Sequence, residues 1–252
     1  MAVSIKSERE IQLMRESCKI LAKVYEELEK AIRPGVSTKE LDELAEKLIR
    51  SYDCIPNFLN YHGFPATICA SVNEEVVHGI PSRDRILKDG DIISIDCGCI
   101  YKGYHSDAAR TYAVGQISKE AEKLIEVTKQ SFFEGIKKAV AGNHLYDISN
   151  AIDAYVSGFG YGIVRDLVGH GIGTSLHEDP QIPNFKQWRR GIKLQPGMTL
   201  AIEPMINMGG YEVEWLDDDW TVVTADGSLS AHYENTVLIT EGEPEILTLS
   251  VR

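Results

Sequence analysis

At 252 residues, 43% hydrophobic and 25% charged, the chain has the composition of an ordinary globular protein, long enough to bury one large core or two small ones. A formal net charge of −12 argues against a broad nucleic-acid-binding face, DNA included, which needs clustered Lys and Arg. No apolar run approaches the ~20 residues that cross a bilayer, so no membrane partner is expected. The start, "MAVSIKSEREIQLMRES", turns charged before a signal-peptide core could form. Five cysteines (Cys18, Cys54, Cys69, Cys97, Cys99) without CxxC spacing read as reduced thiols, and a cytoplasmic location is expected.

Residues 7–32 place Ile11, Met14, Cys18, Leu21, Val24, Tyr25 and Leu28 on one helical face. "RPG" at 33–35 stops that helix, and Ser37 and Glu40, in capping-box spacing, open a second. From about 53 to 115 the pattern is strand and loop. A third helix is expected over 121–140, stopped at "AGN", and a fourth over 145–160, with mostly strand and turn beyond. Slid along itself until Gly35 meets Gly142, the chain also lays Leu41 on Ile148, Ala45 on Ile152 and Leu48 on Tyr155. The repeated order of helix, glycine stop, helix and strands predicts one domain, 1–252, of two similar halves (about 1–115 and 116–252) with a shared site between them.

Within "ISIDCGCIYKGYHSDAAR" (93–110) an apolar strand runs into Asp96, and Asp107 follows. A turn centred between Tyr101 and Lys102, eased by Gly103, would set Asp96 directly opposite Asp107, with Cβ atoms roughly 5 Å apart. Two such carboxylates repel unless a proton or a cation lies between them. A proton would make an acid dyad, a divalent ion a metal site.

Further along, "LVGHGIGTSLHEDP" (167–180) places His170 among glycines, with His177 seven residues on. In "LQPGMTLAIEPMI" an apolar strand meets Glu203 and is broken by Pro204, and "SAHYENTVLIT" carries Glu234 inside a β-branched strand. Each feature alone has an ordinary structural reading. Together, four carboxylates and one imidazole flanked by apolar residues would bury about −4 of charge, which two divalent cations offset. Oxygen-dominated ligation with one His suits Mn, Fe, Co or Zn.

Asp96, Asp107, "GHGIG" with His170, "IEP" with Glu203 and "YENT" with Glu234 form an ordered set that resembles the five-ligand signature of the methionine aminopeptidases, in spacing the bacterial type I form. The resemblance runs from about residue 8 to about 250. It implies an α+β, pita-bread fold, with two pseudo-symmetric αβ halves and antiparallel strands around a dinuclear metal site. It also implies removal of the N-terminal methionine from nascent peptides that carry a small second residue. In that chemistry a hydroxide held by the two ions attacks the first peptide carbonyl, and Glu203, a ligand, also carries the proton to the leaving amine. His177 would stabilise the oxyanion and His78, in "EEVVHGIP", would contact the amide after the scissile bond.

By matching position, the methionine side chain would lie among Phe58, Tyr61, Phe64, Cys69 and Trp220, with His62 at the rim; aromatic rings around a thioether gain S···aromatic contacts. Phe58 stands where many bacterial members carry a small residue, and Leu176 where an aromatic is commoner, so the pocket's shape is expected to differ. Asn73 and Ser230 resemble positions that hold a monovalent cation. The basic "NFKQWRRGIK" (184–193) reads as a solvated loop, with transient contact to ribosomal RNA as the other reading. The family implies a monomer. The rivals are a proline-directed aminopeptidase of the same fold, whose chains carry a large N-terminal domain, and a non-catalytic peptide-binding module, which would have lost ligands. With a first helix expected within ten residues of the start and all five ligands in place, neither is favoured.

Overall fold

A computed structural model describes residues 3–249. Four helices carry the two halves: α1 (Glu8–Ala31), α2 (Thr38–Ser51), α3 (Lys119–Ile136) and α4 (Leu145–Val156). Each begins where local chemistry offers a cap. The Ser37 hydroxyl accepts from the Glu40 amide while the Glu40 carboxylate accepts from the Ser37 amide, and the Ser118 hydroxyl accepts from Ala121. That last cap starts α3 two residues before the expected point. The apolar stripe of α1, from Ile11 to Leu28, is buried as its spacing requires. No described helix is long and apolar enough to cross a membrane.

The strands of the first half are β1 (Ile55–Pro56), β2 (Ile68–Val72), β3 (Glu75–Val77), β4 (Ile92–Tyr101) and β5 (Tyr104–Ala113). Those of the second are β6 (Gly162–Ile163), β7 (Gly169–Gly171), β8 (Glu178–Ile182), β9 (Thr199–Ile202), β10 (Met205–Asn207), β11 (Val213–Trp215), β12 (Val222–Thr224), β13 (Ser230–His232), β14 (Glu234–Leu238) and β15 (Glu245–Ile246). A nine-stranded antiparallel sheet runs β1-β4-β5-β14-β9-β7-β8, with β2 added on β4 and β15 on β14. One core lies between α1–α2 and the first-half strands, built on Leu21, Leu28, Leu41, Ile49, Ile68, Ile93 and Ile95. Another joins α3–α4 to the second-half strands through Leu124, Phe132, Ile148, Ile152, Leu200 and Ile202.

Hydrogen bonds recur at the offset that relates Gly35 to Gly142. Gly35 N–H donates to Leu87 O and Gly142 N–H to Leu194 O; Leu87 N–H donates to Val36 O and Leu194 N–H to Asn143 O. Gly35 and Gly142 have φ of 90° and 94°, the left-handed conformation that glycine adopts without steric cost. The capping pair Ser37–Glu40 has its counterpart in His144–Asp147.

The β4–β5 hairpin departs from the expected register. Lys102 and Gly103, at φ 49° and 84°, form a two-residue turn, so Tyr101 pairs with Tyr104. Asp96 therefore lies opposite Ala109, and Asp107 opposite Gly98. The two aspartates are diagonal neighbours, with backbones roughly 7–8 Å apart and side chains able to converge, rather than a directly opposed pair. Alternation by two still puts both on one face of the sheet.

Candidate active site

Five adjacent strands deliver the five candidate ligands. Asp96 is on β4, Asp107 on β5, Glu234 at the start of β14, Glu203 just past the end of β9 and His170 in the middle of β7, following the sheet order. Ligand atoms of Asp107, His170 and Glu234 all lie within 4.8 Å of one another. His170 Nε2 stands 3.5 Å from Glu203 Oε1 and 3.8 Å from Asp107 Oδ2. Asp96 completes the group through a hydrogen bond shared with Asp107.

The glycines beside His170 are sterically required. A Cβ on Gly171 would lie 2.2 Å from Asp179 O, and one on Gly169 would lie 2.4 Å from Ala201 O, so β7 fits between its neighbours only without side chains there. The His170 Nδ1–H donates to Gly171 O at 2.8 Å, which leaves the Nε2 lone pair facing the carboxylates. The Thr236 hydroxyl accepts from Asp107 N–H and donates to Asp107 O. Asn184 Nδ2 donates to Glu203 O at 3.0 Å.

Burial pushes the Asp96, Asp107, Glu203 and Glu234 carboxyls up, and their mutual repulsion adds to this for all but Asp96. Burial also holds His170 neutral, its pKa lowered to about 3. Asp96 Oδ1, Asp107 Oδ1 and Glu234 Oε1 are buried without a hydrogen-bond partner among the described residues. Oxygens orphaned in this way, beside an imidazole lone pair, fit divalent cations: hard and borderline ions take such a set, and their charge removes the repulsion.

The cluster floors a cavity of about 150 Å³. Phe58, Phe64, Cys69 and Leu176 are buried in its wall, Tyr61 and Trp220 are half-buried, and the Trp220 ring meets Phe64 edge-on at 5.1 Å. His62 is exposed and packs against Tyr61 without lining the cavity. His78, at φ 60° and lowered to about 4 by burial, and His177 both line it. His177 Nδ1 shares a 2.7 Å hydrogen bond with Tyr61 Oη, and its ring sits 4.2 Å from that of His170.

Asn73 and Ser230 come together away from this cavity. Ser230 N–H donates to Asn73 O at 2.9 Å, and their side chains bond Asp91 and Asn207.

Two residues in contact with the cluster were not anticipated. The buried His232 has Nε2 3.9 Å from Glu203 Oε2. Arg110, stacked 4.5 Å over Tyr233, donates to the backbone oxygens of Ala109 and Glu234 and to Asn235 Oδ1. Its guanidinium is a cation that favours the ionised form of Glu234. The sequence signal for both was proximity: Arg110 follows Asp107 by three residues, and His232 precedes Glu234 by two.

A carboxylate-rich centre with one imidazole, at the floor of a pocket on a nine-stranded antiparallel sheet, defines a metallohydrolase class. The chain belongs to metallopeptidase family M24, whose pattern matches residues 12–241. Within that family it is 60% identical to the methionine aminopeptidase of Clostridium acetobutylicum, over 98% of this chain and 99% of that protein. The crystal structure of the Thermotoga maritima methionine aminopeptidase superposes with a TM-score of 0.97 at 42% identity, covering 99% of this chain and all of that one. An Xaa-Pro dipeptidase from Bacillus anthracis shares the fold at a TM-score of 0.79 with 25% identity, and this chain spans 62% of it.

Proposed function

We propose that this metallopeptidase is an aminopeptidase that removes the N-terminal methionine from nascent proteins and peptides, with a preference for small second residues. The observation that carries the chemistry is the convergence of Asp96, Asp107, His170, Glu203 and Glu234, with orphaned oxygens, on the floor of an apolar pocket. Full-length similarity to methionine aminopeptidases supports the substrate, and 25% identity to the dipeptidase leaves the proline-directed alternative unfavoured.

In this reading the five residues hold two divalent ions, drawn from Mn, Fe, Co or Zn. When bound, such ions acidify a water and polarise a carbonyl oxygen. The chain's own side chains do the rest. Glu203 accepts the water's proton at one carboxylate oxygen and returns it to the leaving amine. The Tyr61 hydroxyl donates to His177 Nδ1, so His177 presents an Nε2–H to the developing oxyanion. His78 contacts the amide beyond the scissile bond. Phe58, Phe64, Cys69, Leu176 and Trp220 take up the thioether and exclude water, with His62 outside the cavity at the rim.

Asn73 and Ser230 are the candidates for a monovalent cation. The halves 1–115 and 116–252 act as a single catalytic domain, supported by their repeated hydrogen bonds. A cytoplasmic monomer is the matching assignment. The loop at 184–193, where Trp188 is 91% exposed beside Arg189 and Arg190, is the candidate for transient ribosome contact.

The test is release of free methionine from Met-Ala-Ser, with Met-Lys-Ser and Gly-Pro-Ser as competitors, by metal-stripped protein given each ion in turn. Cleavage of Met-Ala-Ser alone, absent in Glu203→Gln, is expected. Cleavage of Gly-Pro-Ser would move the chain to the proline-directed branch, and inactivity of folded protein with every metal would refute catalysis.

A further inference from the structure

The two halves of the sheet carry equivalent hairpins, and the correspondence gives His232 a counterpart. Laying Ile95 on Ile202 carries β4 onto β9 and β10, and laying Arg110 on Asn235 carries β5 onto β13 and β14. The paired residues Ile95–Arg110 then fall on the paired residues Ile202–Asn235, and Gly98–Asp107 on Met205–His232. Asp96 corresponds to Glu203. Asp107 corresponds to His232. Where the first half sets two carboxylates together, the second sets a carboxylate beside an imidazole.

The imidazole is held rigidly. His232 is 1% exposed, and its backbone is fixed on both edges. Met205 on β10 pairs with it on one side. On the other, Thr111 Oγ1 accepts from His232 N–H at 2.8 Å and donates to His232 O at 2.9 Å. Ser94, whose hydroxyl donates to the same Thr111 oxygen at 2.8 Å, holds that threonine in turn. Within this frame Nε2 is buried without a hydrogen-bond partner, and Glu203 Oε2 faces it at 3.9 Å. The other Glu203 oxygen faces His170 at 3.5 Å.

We infer that His232 is a positioning residue for Glu203: its Nε2–H donates to Glu203 Oε2 in the working site and fixes the plane of the carboxylate. The inference rests on the proton-carrying role proposed for Glu203. An Nε2 lone pair set against a carboxylate oxygen would repel it, whereas an N–H attracts it, and among the described residues no other group claims that nitrogen. Closing from 3.9 Å to about 2.8 Å takes a shift of about 1 Å at the end of the glutamate side chain. Hydrogen bonds of catalytic groups are commonly long without substrate and tighten when it binds. A carboxylate that takes and releases a proton in each turnover works best if it does not rotate between the two steps, and an anchored second oxygen prevents that rotation.

The test uses full-length protein reconstituted with saturating Mn(II), with His232→Leu and His232→Gln variants. Leucine removes the donor and keeps the bulk; glutamine keeps an N–H at the end of the side chain. His232→Leu is expected to lower kcat for Met-Ala-Ser about 10–100-fold with KM within about twofold of the parent. His232→Gln is expected to recover kcat to within about fivefold of the parent. Independently of activity, NMR of ¹⁵N-histidine-labelled, metal-free parent protein is expected to find the His232 proton on Nε2, and Glu203→Gln to move its resonance. A proton on Nδ1, a His232→Leu variant with full kcat, a loss confined to KM, or a glutamine variant as impaired as leucine would each overturn the inference. Should His232→Leu fail to fold, the spectrum of the parent decides. Full activity in Glu203→Gln would instead remove the proposed base, and the spectrum would still judge the contact on its own.

Discussion

Without metal the centre is a store of protons, and its stability should depend on pH in a way that metal abolishes. Asp96, Asp107, Glu203 and Glu234 all sit above their ordinary range because they are buried. A carboxyl whose folded pKa is raised contributes stability that is present below its unfolded value and lost as pH rises through its folded value. The buried histidines work in the opposite direction. His78, lowered to about 4, and His170 and His232, each lowered to about 3, lose their contribution only as pH falls below about 6.5. The interval from about pH 6.5 to 7.5 separates the carboxylates from these histidines. It also lies below the range in which the thiols of the unfolded chain ionise, which matters because the buried Cys18, Cys69 and Cys97 are raised as well. Each proton held in excess over the unfolded chain costs about 1.4 kcal/mol over that unit. For a chain of this length that lowers Tm by about 3–6 °C. Calorimetric scans of metal-stripped protein at constant ionic strength should show this fall, and Mn(II)-loaded protein should not. A metal-free Tm constant to within about 2 °C, or an equal fall in both forms, would refute the account of the site as an uncompensated carboxylate cluster.

Three substitutions probe the frame around it. Gly171→Ala would force β7 away from Asp179 O, at a cost of about 1–3 kcal/mol, and displace His170; calorimetric titration should find Mn(II) bound at least about tenfold more weakly, and unchanged stability and affinity would remove the steric argument. Tyr61→Phe deletes the hydrogen bond to His177, worth about 1 kcal/mol, so kcat/KM for Met-Ala-Ser should fall about fivefold; an unchanged value would disconnect Tyr61 from His177. Leu176→Phe adds a ring to a cavity of about 150 Å³, and steady-state assays should show a higher KM for methionyl peptides with the metal affinity retained; an unchanged KM would place Leu176 outside the thioether's path.

The helices were legible because their information is local. The apolar face of α1 and the Ser37–Glu40 cap of α2 can be read from spacing alone. The five candidate ligands were legible only as an ordered set, since each ends or interrupts an apolar run that could equally close a strand. The β4–β5 register was not legible. It turns on Lys102, a lysine at φ 49°, and nothing in its side chain distinguishes the two-residue turn it makes with Gly103 from the neighbouring alternative. Read from sequence, Glu234 falls inside a β-branched strand, where a glutamate is usually turned to water; in the structure it is the first residue of β14. Its burial comes from the placement of β14 between β5 and β9, a long-range pairing that no window of sequence contains.

His232 escaped notice for a related reason. The single offset that brings Gly35 onto Gly142 aligns β4 with β9 but carries β5 into the β11–β12 excursion, so the counterpart of Asp107 is hidden until the pairing of β13 and β14 is known. Once it is, the charge of the centre becomes intelligible. Two identical hairpins plus Glu234 would bury five carboxylates against a neutral His170, one more negative charge than two divalent ions neutralise. An imidazole in place of the fourth hairpin carboxylate brings the cluster to four, with Arg110 behind Glu234 as an additional fixed cation. The departure from symmetry thus leaves four carboxylates, the number that the two ions of the proposed function would offset. It falls at a hairpin position that faces Glu203, the residue proposed to carry the proton.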